Sequence, residues 1–122
     1  MKKTSAVAAL DSIANEGRLD IFRLLIQHGP AGMAAGDIGA RLKMAAPTLS
    51  FHLNHLRNAG LVAARRAGRS IIYQADYRTM NGLVAYLTEN CCGGNSEICA
   101  PSASCAPAQS IQSIDIKRRR IA

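Results

Sequence analysis

No cysteine precedes position 91 in this chain of 122 residues; all four fall at Cys91, Cys92, Cys99 and Cys105. The segment that must build the core therefore holds no disulfide and no thiol ligand, and the clustering near the C-terminal end asks for a chemical explanation. Long apolar runs are missing too. No segment approaches the roughly 20 consecutive apolar residues of a membrane span, so no membrane segment is expected. A secretion signal is likewise not expected: Met1-Lys2-Lys3-Thr4-Ser5 has a basic start, but the stretch from Ala6 to Ile13 is interrupted by Asp11 and runs into Asn15-Glu16-Gly17-Arg18 instead of a cleavage site. The expected location is cytoplasmic, where clustered cysteines bind metals or act in redox chemistry more often than they form structural disulfides. Acidic residues are few, 8 against 15 Lys and Arg, giving a formal charge of +7. That excess favours a polyanionic partner, nucleic acid or an anionic membrane surface. The length leaves room for one small domain and a tail, not for two ordinary domains.

What is present is mostly helical periodicity. Val7, Leu10, Ile13 and Ala14 recur at helical spacing and predict a first helix from about Thr4 to Ala14. Asn15 is placed to cap a second helix whose stripe is Leu19, Phe22, Leu25 and Ile26, ended by His28-Gly29-Pro30. Ala31 to Ala35 is expected to be a loop. A short third helix runs from Gly36-Asp37 to about Leu42, held by Ile38 and Leu42. After the turn Lys43-Met44-Ala45-Ala46, Pro47 suits the first position of a fourth helix because its missing donor would have had no partner there.

The fourth helix, Pro47 to Ala59, has Leu49, Leu53 and Leu56 as its buried stripe. Pro47, Thr48, Phe51, Asn54, His55 and Asn58 turn away from that stripe, with Ser50 and His52 on the flanks. The helix carries no carboxylate. Its hydroxyls, amides and imidazoles are short groups able to reach base edges or phosphates in a major groove without repelling the backbone. Gly60 stops it. Two strands, Leu61 to Arg66 and Ser70 to Gln74, then form a hairpin turned at Ala67-Gly68, with Arg65, Arg66 and Arg69 at or near the tip. A short helix, a turn, a polar-faced helix and an arginine-tipped hairpin in a basic chain together point to a winged helix-turn-helix. Met80, Leu83, Val84 and Leu87 return to helical spacing in a fifth helix, from Asp76 or Tyr77 to about Asn90. The expected fold is mainly α with a small β-hairpin, over residues 1–90, followed by a cysteine-containing segment and basic tail over 91–122.

The run Arg18-Leu19-Asp20-Ile21-Phe22-Arg23-Leu24-Leu25 is one of three informative stretches. The others are Thr48-Leu49-Ser50-Phe51-His52-Leu53-Asn54-His55-Leu56-Arg57-Asn58-Ala59-Gly60-Leu61-Val62 and Arg66-Ala67-Gly68-Arg69-Ser70-Ile71-Ile72-Tyr73. With these stretches the chain resembles the ArsR/SmtB family of bacterial metal-responsive repressors, over roughly residues 5 to 92. The resemblance implies a homodimer through the first and last helices, with two recognition helices presented to successive major grooves of operator DNA. It also implies a repressor that leaves its operator when a metal or metalloid binds. A dimer spanning half-sites one helical turn apart, about 34 to 36 Å, needs a rigid two-fold interface. Thr48, Ser50, His52 and His55 are the candidate base or phosphate contacts, and Arg65, Arg66 and Arg69 the candidate phosphate or minor-groove contacts.

Members of this family differ in where the inducer sits. The version with Cys-Val-Cys at the third helix is absent, since the chain there reads Met33-Ala34-Ala35-Gly36-Asp37-Ile38. The zinc version, with Asp and His ligands along the last helix, has only Asp76, because His28, His52 and His55 all lie elsewhere. Adjacent cysteines followed by a third match the family's C-terminal arsenite site, which implies Cys91, Cys92 and Cys99 as ligands here. Cys105 could replace Cys99, add a fourth sulfur or do nothing.

Chemistry favours the same assignment. Neighbouring helical residues point about 100° apart, so Cys91 and Cys92 converge on one atom more easily where the helix frays, and Gly93-Gly94 permits that and lets Cys99 double back. A helix C-terminus disfavours thiolates, so thiols are expected in the free protein. Neutral As(OH)₃ exchanges three hydroxyls for three thiols with release of water, which suits As(III), or Sb(III), better than Zn²⁺; thiophilic ions such as Cd²⁺ are also accommodated by soft sulfur. No permanently bound cofactor is expected. The alternative is a redox-sensing repressor in which the pair closes to a reversible disulfide with Cys99 or Cys105. An enzyme is not expected, because no activated nucleophile, paired base or phosphate loop accompanies the cysteines. The run Ile116-Lys117-Arg118-Arg119-Arg120-Ile121 reads either as a basic arm adding DNA affinity or as a solvated tail.

Overall fold

The structure, a computed structural model, describes residues 1–94. Cys99, Cys105 and the basic run at Lys117 to Arg120 lie outside the described residues. Those described fall into two compact units, Met1–Met80 and the part from Asn81 onward.

Helix α1 (Lys3–Ile13) buries Ala6, Ala9 and Ser12 and leaves Val7 and Leu10 exposed. The inward face is thus the one with the smallest side chains, which lets α1 lie close to its neighbours. Ser12, fully enclosed, satisfies its hydroxyl by donating to the Ala9 carbonyl at 2.9 Å. Helix α2 (Glu16–His28) begins as expected at Asn15, whose side-chain oxygen accepts from the Arg18 N–H at 3.1 Å. Its core residues are Ile21, Phe22 and Leu25, while Leu19 is 40% exposed, so the buried stripe is rotated from the one its leucines suggest.

The segment expected to be a loop contains strand β1 (Met33–Ala34). It pairs antiparallel with β3 (Ser70–Ala75), placing Met33 opposite Tyr73 and Ala34 opposite Ile72. Strand β2 (Val62–Ala67) pairs with the other side of β3, so the hairpin is two-thirds of a three-stranded sheet of order β1-β3-β2. Entry to β1 runs through Gly32 at φ +78, where an added Cβ would lie 2.6 Å from the Tyr73 carbonyl oxygen and 2.7 Å from an Ile72 methyl. The hairpin turns at Gly68, φ +62, where a non-glycine residue would be strained.

Helix α3 (Ala35–Leu42) ends at Lys43 in the left-handed region, φ 55, and α4 (Ala46–Asn58) follows with Pro47 in its first turn. Leu49, Leu53 and Leu56 are 3%, 1% and 0% exposed, the expected stripe. They join Ile21, Phe22, Leu25, Ile38, Leu61 and Val62 in the core of the first unit. Each fully buried large apolar side chain contributes about 1.5 to 3 kcal/mol of transfer free energy.

Helix α5 (Tyr77–Thr88) is started by Asp76, whose carboxylate accepts from the Thr79 N–H at 3.0 Å. Tyr77 donates its hydroxyl to the Ile26 carbonyl at 3.0 Å, satisfying an acceptor in the last turn of α2. In the second unit Leu83 is buried and Val84 and Leu87 are exposed. The helix stops at Thr88, two residues short of the expected end. Asn90 and Cys92 then take left-handed φ values of 56 and 58, and Cys91–Gly94 forms a kinked 3₁₀ turn.

Candidate nucleic-acid interface and thiol site

Thr48 and Ser50 stand exposed on α4, and His52 and His55 are half-buried. The two hydroxyls are thus presented outward, whereas each imidazole also belongs to a packing contact. His55 and Asn58 share a shallow cleft with Ala8 and Asp11 of α1. His52 turns toward α2: its Nδ1 lies 3.4 Å from Arg18 Nη1, and a Cβ at Gly17 would come within 3.1 Å of its Nε2. Arginine can only donate, so Nδ1 is the acceptor and the neutral ring carries its proton on Nε2. The His52 pKa is held below the ordinary imidazole value, first by desolvation on burial, then by the Arg18 charge and by His55.

Arg18 therefore has a role that periodicity does not announce. Its Nε donates to the Ser12 carbonyl at 2.5 Å, at the end of α1, while its guanidinium meets His52 of α4. A cation at a helix C-terminus offsets the partial negative charge of the last carbonyls. One side chain of α2 thus ties α1 to the flank of α4. The signal available in the sequence is a basic residue one turn past the Asn15 cap, but its partner lies 34 positions away.

On the hairpin, Arg65, Arg66 and Arg69 are all exposed. They are not equivalent. Arg65 donates through Nη2 to the Ala31 carbonyl at 2.6 Å, fastening the hairpin to the segment before β1. Arg66, opposite Ile71, and Arg69, in the turn, sit at the tip. Successive residues of a strand point to opposite faces of the sheet, so Arg65 and Arg66, adjacent in β2, project to different sides.

Phe51, outside the contact set derived from the sequence, is 62% exposed, and its ring lies 5.8 Å from that of His52 and 6.3 Å from that of His55.

At the thiol pair Cys91 is half-buried and Cys92 exposed. The Cys91 pKa is raised by desolvation, then by a hydrogen bond with Cys92 and by repulsion from the negative charge Cys92 carries as a thiolate. This direction agrees with the protonated resting state expected from the helix C-terminus, and the neighbouring thiol adds to it. Among the described residues no three His, Cys, Asp or Glu side chains gather as a metal site. The third proposed ligand, Cys99, lies outside them.

A family of helix-turn-helix domains matches residues 13–65. The chain is 31% identical over 97 residues to the transcriptional activator HlyU of Vibrio cholerae, covering 78% of this chain and 87% of that protein. A structure of reduced HlyU is 30% identical with a TM-score of 0.54, over 69% of this chain and 88% of that one. An ArsR-like transcriptional regulator from Rhodococcus sp. RHA1 superposes with a TM-score of 0.62 at 27% identity, over 69% of this chain and 76% of that one. The homodimeric winged helix-turn-helix DNA-binding domain of a possible ArsR-family regulator from Mycobacterium bovis gives 0.59 at 28% identity, with the same two coverages of 69% and 76%.

Proposed function

The chain belongs to the ArsR-like family of winged helix-turn-helix transcriptional regulators, and on that premise we propose a homodimeric repressor that leaves its operator when trivalent arsenic or antimony binds Cys91, Cys92 and Cys99. It acts in the cytoplasm as a regulator and not as an enzyme. No described helix is long and apolar enough to cross a membrane. The polyanionic partner proposed is duplex DNA. Val7 and Leu10 on α1, and Val84 and Leu87 on α5, are apolar side chains exposed on the single chain, which supports a dimer through the first and last helices. Thr48, Ser50, His52 and His55 serve the base-reading helix, with Arg66 and Arg69 contacting phosphate and Arg65 holding the wing.

The observation that carries the inducer assignment is the pair of adjacent thiols at Cys91 and Cys92, immediately after α5, with Cys92 in the left-handed region at φ 58. A non-glycine residue there stores strain of order 1 kcal/mol or more, so a ligand that redraws the turn starts from a conformation already costly to hold. Protonated thiols suit As(OH)₃: three As–O bonds give way to three As–S bonds, each thiol proton leaves with a hydroxyl as water, and no oxidation state changes. Gathering the three sulfurs rearranges the end of α5 and through it the dimer. The linkage is expected to be about 1 to 3 kcal/mol, and by reciprocity operator DNA weakens inducer binding equally. Gel-shift titration with arsenite tests this. Native protein should release DNA, Cys91→Ser and Cys92→Ser should hold it at the same arsenite concentration, and normal release by either variant would refute the site.

Similarity to HlyU, a protein with a structure in a named reduced form, favours a second reading. Here Cys91 or Cys92 closes to a disulfide with Cys99 or Cys105, a peroxide-type oxidant taking up two electrons and two protons. Thiol titration under reducing conditions, with and without arsenite, separates the readings: only metalloid binding protects thiols there. X-ray absorption at the arsenic edge would count the sulfurs.

A further inference from the structure

Phe51 is the most exposed large hydrophobic residue among those described. An isolated exposed phenylalanine is unremarkable on a protein surface. Its position on α4 is not. At about 100° per residue, Phe51 points roughly 140 to 160° from each of Leu49, Leu53 and Leu56, which anchor the helix from below. Pro47, Thr48, Asn54, His55 and Asn58 all fall within about 60° of it. The ring therefore stands at the crest of the face that turns away from the core, in the middle of the polar groups that sequence reasoning assigned to DNA.

Its neighbours also hold it. The His52 ring is inclined at 57° with centroids 5.8 Å apart, and the His55 ring meets it edge-on at 6.3 Å. His52 is itself held from behind by Arg18. Contacts of this kind restrict the side chain before any partner arrives, lowering the entropy lost on binding.

A phenyl ring cannot read hydrogen-bond donors or acceptors. In a major groove the apolar feature of the standard base edges is the C5-methyl group of thymine. We propose that Phe51 is a specificity-determining residue whose ring packs on a thymine methyl in each half-site, so that the preferred operator carries thymine at one fixed position per half. This rests on the reading of α4 as the DNA-recognition helix.

The test uses the full chain. Duplexes preferred by the native protein are selected from a randomised pool, and each enriched thymine is then replaced singly by deoxyuridine, which removes the methyl and leaves the pairing edge unchanged. For native protein, one replacement per half-site should weaken binding roughly four-fold, the worth of one buried methyl-sized group. Phe51→Ala should bind the parent duplex more weakly and show no further loss with uracil at that position, while Phe51→Leu should keep part of the discrimination. Circular dichroism checks that the variants fold, and the uracil series on native protein stands independently of them. A uniform response to uracil at all thymines, or an undiminished penalty in Phe51→Ala, would overturn the assignment. Failure of native protein to enrich any duplex would overturn the DNA reading itself and this assignment with it, an outcome distinct from enrichment without methyl dependence.

Discussion

His52 is a packing residue on the helix proposed to read DNA. Its Nδ1 faces a guanidinium and its pKa is depressed, by burial first and by Arg18 next. Between the folded pKa and the ordinary value of about 6.5, the unfolded chain binds more protons at this residue than the folded one. Stability from this source is therefore complete above that ordinary value and falls as pH drops through it toward the folded pKa. Thermal melts at pH 7.5 and 5.5 should show a lower Tm at the acidic pH. His52→Gln, which stays neutral and can still accept from Arg18, should show a smaller difference; an equal difference would mean that His52 does not contribute.

Among the elements, the wing separates into parts that the sequence presents as one basic tip. Arg65 is spent on the Ala31 carbonyl, whereas Arg66 and Arg69 have their place at the turn. Replacing Arg66 or Arg69 by Ala should weaken binding to all sequences and lower the slope of log affinity against log salt by about one. Arg65→Ala should loosen the wing yet change that slope less. Salt titrations of fluorescence anisotropy distinguish the two behaviours. The hairpin, the Asn15 cap and the leucines of α4 were legible because each is local: turn chemistry, a cap and an i, i+4 stripe are written within a few residues. Strand β1 was not, since two residues carry no alternation and exist as a strand only through Tyr73 and Ile72 of β3. Which face of α1 turns inward is not written in the sequence for a related reason. Hydrophobicity favours Val7 and Leu10, but close packing favours Ala6, Ala9 and Ser12, and only the neighbours decide between them. The Arg18 contact with His52 was invisible for want of any local signature.

For the whole molecule, the larger residues of α1 left outward become intelligible in the proposed dimer. Val7 and Leu10 are 58% and 40% exposed, so replacing both by Glu should leave the fold of the single chain intact. Sedimentation should then report a monomer, and operator affinity should fall roughly a hundred-fold as the second half-site stops being an intramolecular partner. A variant that still sediments as a dimer would move the interface elsewhere. The end of α5 and the turn after it are the part least legible in advance. The sequence places Cys91 and Cys92 together and offers Gly93-Gly94 to let the chain fray, but the left-handed backbone begins earlier, at Asn90, and includes Cys92 as well as Gly93.

The narrow passage at Gly32 bears on how this chain can drift over generations. Gly36, only four positions on, has nothing within 4 Å of where a Cβ would stand, whereas at Gly32 that atom would meet backbone and side chain of β3 below 3.0 Å, in a conformation L-residues rarely adopt. Any side chain at position 32 must therefore displace part of β3 and hold a strained backbone, whereas position 36 is open on steric grounds. Two glycines that look interchangeable in a composition count thus have unequal evolutionary freedom, set by the strand that crosses one of them.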